Sequence, residues 1–497
     1  MLGFRGDFMN KSKIVKLIIS LIFVIMSSLM TYKVYSINII PNKYLLIFIL
    51  ILVILNIIAN ICLFVKNKWL KIITVLIYLL ISIISVIGIT YVNETNKFID
   101  NTFSNNEEES IKVNYLLLSK KDYKIDDINN KDIYYYTGSL YNDEAISKLK
   151  EKVSAKFIAL DDITSIYKND LFFIDELSYD SLQELYGLNR EDYNVIYKIE
   201  LEIKVDNDID SEDNNEDKND SNNNSENNKE ESNQKKQSNG STYNIYLTAY
   251  DFSGYRSDLN KIITVNTKKH EILITNIHRF AYVKVDGKEK RNTLSSNGYY
   301  GVNVNKKALE KEFGIKIDYY FTVKSPGLVK VVDSLGGIEY CSDQAYTTDH
   351  ALVLNTYDDT KGNHLKVVKG CQHLNGIETL TVARERLAFY MGATKRDENT
   401  SAILEDILNA AKKPSNITRY TSILNSMNGL YKTNVPKNTM TSGIKSLLDE
   451  KWTIRNQAVT GQIRTDYINF SNAKGSVYYL NKDSVKECSR KINSLYY

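Results

Sequence analysis

Proline and cysteine are scarce in this 497-residue chain, four of each, and neither sign of charge predominates, since 63 basic and 60 acidic side chains leave a formal net charge of +3. The near-balance excludes a chain-wide field of the kind that holds DNA or RNA, so no nucleic-acid partner is expected and any anion site must come from local clusters. The cysteines, at 62, 341, 371 and 488, lack the spacing of a zinc knuckle. Few prolines among abundant Ile, Lys, Asn and Tyr is a composition that coding bias accounts for, and it excludes no fold. Of the five histidines, His278 precedes an arginine but has no orienting partner evident in the sequence, and it is read as structural.

What the N-terminal part has is apolar length. The runs Leu17 to Tyr35, Tyr44 to Val65 and Leu70 to Val92 are each near the roughly 20 residues that cross a bilayer. Arg5, Lys11, Lys13 and Lys16 precede the first run, Lys66, Lys68 and Lys71 join the second to the third, and Lys33 and Lys43 flank the remaining loop. That distribution places the N-terminus in the cytoplasm and, after three crossings, everything beyond Asn93 outside. The expected localisation is therefore a multi-pass cell-membrane protein with extracellular C-terminal domains. A cleaved signal peptide fits less well, because no small-residue cleavage site follows the first run and two more runs come after it. On the outer side Cys341 and Cys371 could form a disulfide closing a loop between a strand and a helix, or stay as buried thiols.

The length allows two or three domains. Residues 1–92 read as the membrane anchor. Residues 93–205 read as a small α/β accessory domain with strands VNYLLL, KFIAL and YKIELEI and a helix from about Tyr141. Residues 206–240 hold one apolar side chain, Ile209, which cannot offset the cost of ordering the chain, and they read as a disordered linker or long loop. From 241 to 497 strands and helices alternate. YNIYLTAY, KIITVN and EILITNI are strands, the last followed by a Gly-containing loop to Val302. A helix from Asn305 to Phe313 stops at Gly314, and IDYYFTV is a strand. Ser325-Pro326 supplies an N-cap and a first-turn proline for a helix ending at Gly336-Gly337. A helix from Glu398 to Lys412 puts Leu404, Ile407, Leu408 and Ala411 on one face and ends before Pro414. The fold class is α/β, a central sheet with helices on both faces, carried on three transmembrane helices and the accessory domain. Tyr319, Tyr320, Phe321 and the Val-rich helix Leu328 to Leu335 read as core, part of which could line a lipid-chain tunnel.

The segment YLTAYDFSGYRSD ends a strand on Asp251 and then sets Arg256 and Asp258 two apart. Ligand sites in open α/β sheets gather at carboxyl ends of strands. Arg279 follows a later strand, Arg384 and Arg386 lie in ARER, and Arg396 in ATKRDEN. Acid pairs hold divalent cations and guanidinium forks hold phosphate, so the set points to metal-assisted phosphoryl transfer. Arg384 and Arg386 can act together only if the helix before them has ended by Arg384, because residues two apart share a side only in extended chain.

From about Ile245 to Ile407 the chain resembles the LytR-CpsA-Psr family of Gram-positive cell-envelope proteins, with its capsule-type members nearest. The motifs carrying the resemblance are the RSD at Arg256, the strands ending in NIHRFAYV, GIKIDYYFTV leading into KVVDSLGGIE, HLNGIETLTVARER, and the G-x-x-x-R-x-x-N of Gly392, Arg396 and Asn399. The family implies transfer of a glycopolymer, capsular or teichoic-acid-like, from a polyprenyl-pyrophosphate carrier in the membrane lipid to peptidoglycan. By position it implies Asp251 and Asp258 as ligands of Mg²⁺ (or Mn²⁺). Asp251, Arg256, Asp258 and Arg279 would form the catalytic set, and Arg256, Arg279, Arg384, Arg386, Arg396 and Asn399 the pyrophosphate grip. Where the family has Gly-Ile-Asp this chain has Ala249-Tyr250-Asp251, and the Pro-Arg-Asp motif has become His278-Arg279-Phe280. Thr293, Ala393 and Thr400 stand where the family has lysine, aspartate and glutamine. If the lost acid takes a proton, turnover falls by the roughly 10²-fold typical of acid–base groups. The alternative reading is a weakened relative that binds the lipid-linked precursor and regulates or scaffolds envelope assembly.

Overall fold

The computed structural model describes residues 11–104, 110–204, 241–354 and 362–497, with interruptions at 37, 39, 162–164, 166–167, 177, 180–191, 252–255, 287, 289–290, 391, 418, 420–422, 424–425, 428 and 469–473. The segment 206–240 expected to be a linker lies outside the described residues.

Three helices form the N-terminal anchor: α1 (Lys11–Ser36), α2 (Asn42–Phe64) and α3 (Lys68–Ser104). Among the described residues these are the helices long and apolar enough to cross a membrane. α3 continues past the third apolar run, so the chain leaves the membrane region as a helix. The α1–α2 connection reaches the C-terminal half of the chain. Asn42 N–H donates to Asp449 Oδ2 at 2.8 Å, and Lys445 Nζ donates to Asn38 Oδ1 at 3.2 Å.

The accessory unit contains β1 (Ser110–Ser119), β2 (Asp132–Tyr136), α4 (Asn142–Lys150), β3 (Lys156–Leu160), β4 (Leu171–Asp175) and β5 (Asn194–Lys204), in sheet order β3-β2-β4-β1-β5. β4 is buried along its whole length, as its LFFID sequence requires. This core also takes in Val285, Tyr299 and Tyr300 from the following unit, and Lys288 Nζ donates to the Ser139 carbonyl at 2.9 Å. The two units are therefore docked through a shared apolar core.

The second unit is built on β6 (Thr242–Tyr250), β7 (Ser257–Asn266), β8 (Glu271–Ile277), β11 (Tyr319–Lys324), β16 (Tyr431–Thr433) and β17 (Thr453–Ala458), ordered β16-β11-β6-β7-β8-β17. β11 runs parallel to β6, and β17 parallel to β8. Between β8 and β11 come the short strands β9 (Tyr282–Lys284) and β10 (Arg291–Thr293), in what the sequence presents as a loop. Next is α5 (Val302–Phe313), three residues longer at its start than expected. One sheet face, with Tyr246, Ile262, Leu273 and Tyr320, packs on α5 and on α10 (Lys482–Ser494). Tyr246, Ile262, Leu309 and Ile317 are fully buried, each stabilising by about 1.5–3 kcal/mol for an apolar side chain of this size. The opposite face packs on three later helices, α6 (Ser325–Leu335), α8 (Gly392–Ala411) and α9 (Lys437–Asp449). The α/β class with helices on both faces is thus observed.

Three local expectations are corrected. α6 is capped at Lys324, and Ser325 lies inside the helix with its hydroxyl donating to the Tyr250 carbonyl at 3.4 Å. α8 starts at Gly392, six residues before the expected Glu398, because Arg396 and Asp397 bury themselves against the sheet and extend the helix backwards. Cys341 and Cys371 are bonded, but between two strands rather than a strand and a helix. They face each other in the antiparallel pair β12 (Ile338–Ser342) and β15 (Gly370–Leu374). The hairpin between these strands is β13 (Tyr346–Ala351) and β14 (His364–Val367).

The bond closes a loop of sequence separation 30, which on loop entropy contributes about 3–4 kcal/mol. Cys371→Ser is expected to lower the melting temperature of the full-length protein in detergent by several degrees, and reducing agent should have the same effect on the unaltered protein and none on the variant.

Candidate active site

Strand alternation explains the RSD segment. Arg256 and Asp258 flank Ser257, whose side chain must take the other face of β7, and there its Oγ joins Thr248, Tyr246 and Asn260 in a buried hydroxyl and amide network. That network fixes the end of the β6–β7 hairpin from below. From above, Asp251 and Arg256 close it reciprocally: Arg256 N–H donates to Asp251 Oδ1 at 3.2 Å and Asp251 N–H to the Arg256 carbonyl at 3.0 Å.

Asp251, Asp258, Arg279, Arg384, Arg386 and Arg396 line one cavity of about 420 Å³. Arg279 Nη1 donates to Asp258 Oδ1 at 2.6 Å, and Arg396 Nη2 donates to the Asp258 carbonyl at 3.2 Å. Burial alone would raise the Asp258 carboxyl, but the Arg279 and Arg396 guanidinium groups outweigh it and hold it below the usual carboxylate range. Arg256 is not in the cavity wall, although its charge also acts on Asp258. Asn399 faces away: its Oδ1 accepts from the Tyr340 hydroxyl at 3.0 Å, which ties α8 to β12.

The helix α7 (Gly376–Arg384) is opened by a capping box of Asn375 with Glu378 and ends at Arg384, with Glu385 already extended. Arg384 and Arg386 accordingly both reach the cavity. Glu385, between them, is fully buried and accepts four backbone N–H groups: Asp349 at 2.7 Å, His350 at 3.1 Å, Leu387 at 2.8 Å and Ala388 at 3.0 Å. It is the residue that shapes the arginine loop, and ARER read as a charge run conceals it. Gly392 closes the same loop, since a Cβ there would collide with the Arg386 carbonyl.

His278 is placed as structure. Its Nδ1 accepts the Phe280 N–H at 3.1 Å, its ring stacks on Tyr478 at 4.3 Å, and burial, with Arg396 and Arg279 nearby, pushes its pKa down to about 3. The ring of Phe280 lies 4.4 Å under the Arg279 guanidinium, so it orients that arginine through its π-face. Thr293 caps a helical turn at Ser296 and is not in the cavity wall. The side chain of Ala393 lies outside the described residues.

One cavity residue escaped the sequence reading. Lys261, on β7, is buried in an otherwise apolar run, and its ammonium donates to Asn276 Oδ1, to Ser401 Oγ at 2.9 Å and to the Asp397 carbonyl at 3.4 Å. Burial brings its pKa down to about 7. The only signal was one lysine in KIITVN at a core-facing position. Asp397, beside Arg396, also lines the cavity. Behind this charged rim the wall turns apolar, with Leu247, Phe321 and Val323 from the sheet, Leu328 and Val331 from α6, and Ile403, Leu404 and Ile407 from α8.

Among the described residues no cluster of three or more His, Cys, Asp or Glu forms a metal cage. A cation at Asp251 and Asp258 would therefore share its coordination with ligand oxygens and water. That matches the habit of Mg²⁺, which is usually held by one or two carboxylates plus substrate phosphates.

Residues 209–494, more than half of the chain, match the LytR_cpsA_psr family. The chain is 26% identical over 186 residues to the polyisoprenyl-teichoic acid–peptidoglycan teichoic acid transferase TagU of Bacillus cereus (strain AH820), covering 37% of this chain and 57% of that protein. It is 26% identical over 210 residues to the protein of the same name from Bacillus anthracis (strain CDC 684 / NRRL 3495), covering 41% and 65%. It thus spans less than two thirds of the length of these relatives. Among solved structures, "TagT bound to LI-WTA" aligns with a TM-score of 0.42 at 21% identity, covering 53% of this chain and 94% of that one.

Glu385→Ala would remove the acceptor of four backbone N–H groups, of which the buried His350 N–H costs about 1–3 kcal/mol when left unpaired. It is expected to lower the melting temperature, measured by thermal unfolding of the full-length protein in detergent.

Proposed function

The chain belongs to the LytR-CpsA-Psr family, and from that premise we propose that it is a membrane-anchored phosphotransferase moving a capsular or teichoic-acid-like glycopolymer from a polyprenyl-pyrophosphate carrier to peptidoglycan. The observation carrying this reading is the two-part cavity, a rim of four arginines and three carboxylates backed by an apolar wall. An amphipathic lipid diphosphate has the matching halves. The apolar wall takes the first isoprene units. Arg279 and Arg396, held against Asp258, and Arg384 and Arg386, held by the Glu385 loop, take the diphosphate. Planar guanidinium groups bind such oxygens bidentately, and their placement before substrate arrives lowers the reorganisation needed as charge builds on the leaving phosphate. A Mg²⁺ held by Asp251 and Asp258 would further neutralise that charge.

The anchor supports an outward-facing site. The α1–α2 connection, which the basic-residue distribution places outside, is the one bonded to α9 of this unit through Asn42 and Lys445. Lys66 and Lys68 lie at the other end of α2. A cysteine introduced at Asn38 is expected to react with a membrane-impermeant maleimide in intact cells, and one at Asn67 only after permeabilisation. The reverse pattern would put the site in the cytoplasm.

The transfer itself is tested with the full-length protein in detergent, a polyprenyl-pyrophosphate oligosaccharide, Mg²⁺ and peptidoglycan oligomers, with mass spectrometry of products. Glycan joined to peptidoglycan through one phosphate is expected, with a fall of about 10²-fold or more in Asp251→Ala and on chelation of the metal. Tight donor binding without any product would instead favour the precursor-binding regulator, the reading that Phe280 in place of an acid invites.

A further inference from the structure

The transfer proposed above needs a group to take the proton of the attacking hydroxyl, and the cavity contains three carboxylates that differ in what already occupies them. Asp251 accepts the Arg256 N–H and Asp258 accepts Arg279, so both are engaged in shaping the diphosphate site. Asp397 differs. Among the described residues its carboxylate accepts no hydrogen bond, its nearest ionic partner being Arg396 Nη2 at 4.0 Å, beyond hydrogen-bond range. Its side chain keeps 21% of its surface, and it lines the cavity.

Its backbone, by contrast, is pinned. The Asp397 carbonyl accepts Lys261 Nζ at 3.4 Å, Thr400 Oγ1 at 3.0 Å and Ser401 Oγ at 3.0 Å. Lys261 spends its remaining donors on Asn276 and Ser401, so its ammonium clamps the first turns of α8 to β7 and β8. A rigidly mounted carboxylate with open lone pairs, facing a cavity of arginines, is arranged to receive a proton.

Resting on the transferase reading, we propose that Asp397 is the proton acceptor for the attacking hydroxyl of the acceptor glycan, with Lys261 as the residue that positions it. In the step, the acceptor oxygen bonds to the phosphorus carrying the donor glycan while its proton passes to the Asp397 carboxylate. The bond from that phosphorus to the bridging oxygen breaks, and polyprenyl phosphate leaves with the electron pair. Asp397 then returns its proton to water. The residue thereby does the work for which Phe280 offers no oxygen. Arg396 and Glu398 face it from α8, Lys261 from β7, Arg279 from the end of β8, and Tyr478 from the strand Lys474–Leu480. Burial raises its pKa and outweighs the pull of Arg396 and Lys261, so the protonated form persists above the ordinary aspartate range. Because the reaction needs the ionised form, activity should fall as pH drops through that raised pKa.

The test uses the full-length protein in detergent with the donor, Mg²⁺ and acceptor described above, comparing the unaltered protein with Asp397→Asn, Asp397→Glu and His350→Asn, the last because His350 also lines the cavity. Asp397→Asn is expected to lose about 10²-fold or more in kcat while binding donor at least as tightly, since a negative charge has left a diphosphate site. Its residual rate should lack the acid limb, whereas Asp397→Glu should keep measurable turnover with that limb displaced. Wild-type kcat and pH profile in Asp397→Asn overturn the assignment, as does loss confined to His350→Asn. Weakened donor binding by Asp397→Asn, with kcat retained at saturation, would make the residue structural and also overturns it. Donor bound but no product from the unaltered protein overturns the transferase reading, and this assignment with it. If Asp397→Asn does not fold, the pH profile of Asp397→Glu decides: an unshifted acid limb rejects the proposal.

Discussion

The clamp of two guanidinium groups on Asp258 holds the candidate site together. Arg279 takes a carboxylate oxygen and Arg396 the main-chain carbonyl of the same residue, so the end of β8, the start of β7 and the first turns of α8 meet at one acid. Buried cations are costly unless paired and hydrogen-bonded, and this pairing is what allows Arg396 to sit 6% exposed in the wall. The early start of α8, the depressed Asp258 carboxyl and the neutral His278 all follow from gathering that charge in one place.

Around the clamp, the structure repeatedly uses one residue to aim another. Glu385 shapes the loop bearing Arg384 and Arg386, Phe280 lies under Arg279, and Lys261 fastens the turn bearing Arg396 and Asp397. The Phe280 stack holds Arg279 through a π-face, which keeps the arginine in place and supplies no oxygen. The proton-accepting role then has to come from elsewhere in the wall or be absent.

The anchor and the accessory unit meet the cavity-bearing unit at separate places. The α1–α2 connection is bonded to α9, which packs over the cavity-bearing face of the sheet, while the accessory core takes in Val285, Tyr299 and Tyr300 near the opposite face.

The anchor was legible in the sequence because twenty apolar residues in water have no alternative to a bilayer or a core, and the sheet because the alternation of β6 and the short β-branched, apolar runs of β7 and β8 need no distant information. Helix stops at Gly314 and Gly336 were legible because each takes a left-handed φ, 63° and 79°, that glycine adopts without cost. The acids and arginines could be selected by their chemistry at strand and helix ends. Tertiary structure alone decided which of them share a cavity, because Arg256 and Asn399 differ from Arg396 only in the direction their side chains leave the backbone. It also decided the disulfide's partners in register, the buried role of Glu385 within a charged run, and the role of Lys261 as a buried clamp. Each of these depends on contacts between segments up to 140 residues apart, and no local pattern in the chain encodes such a distance.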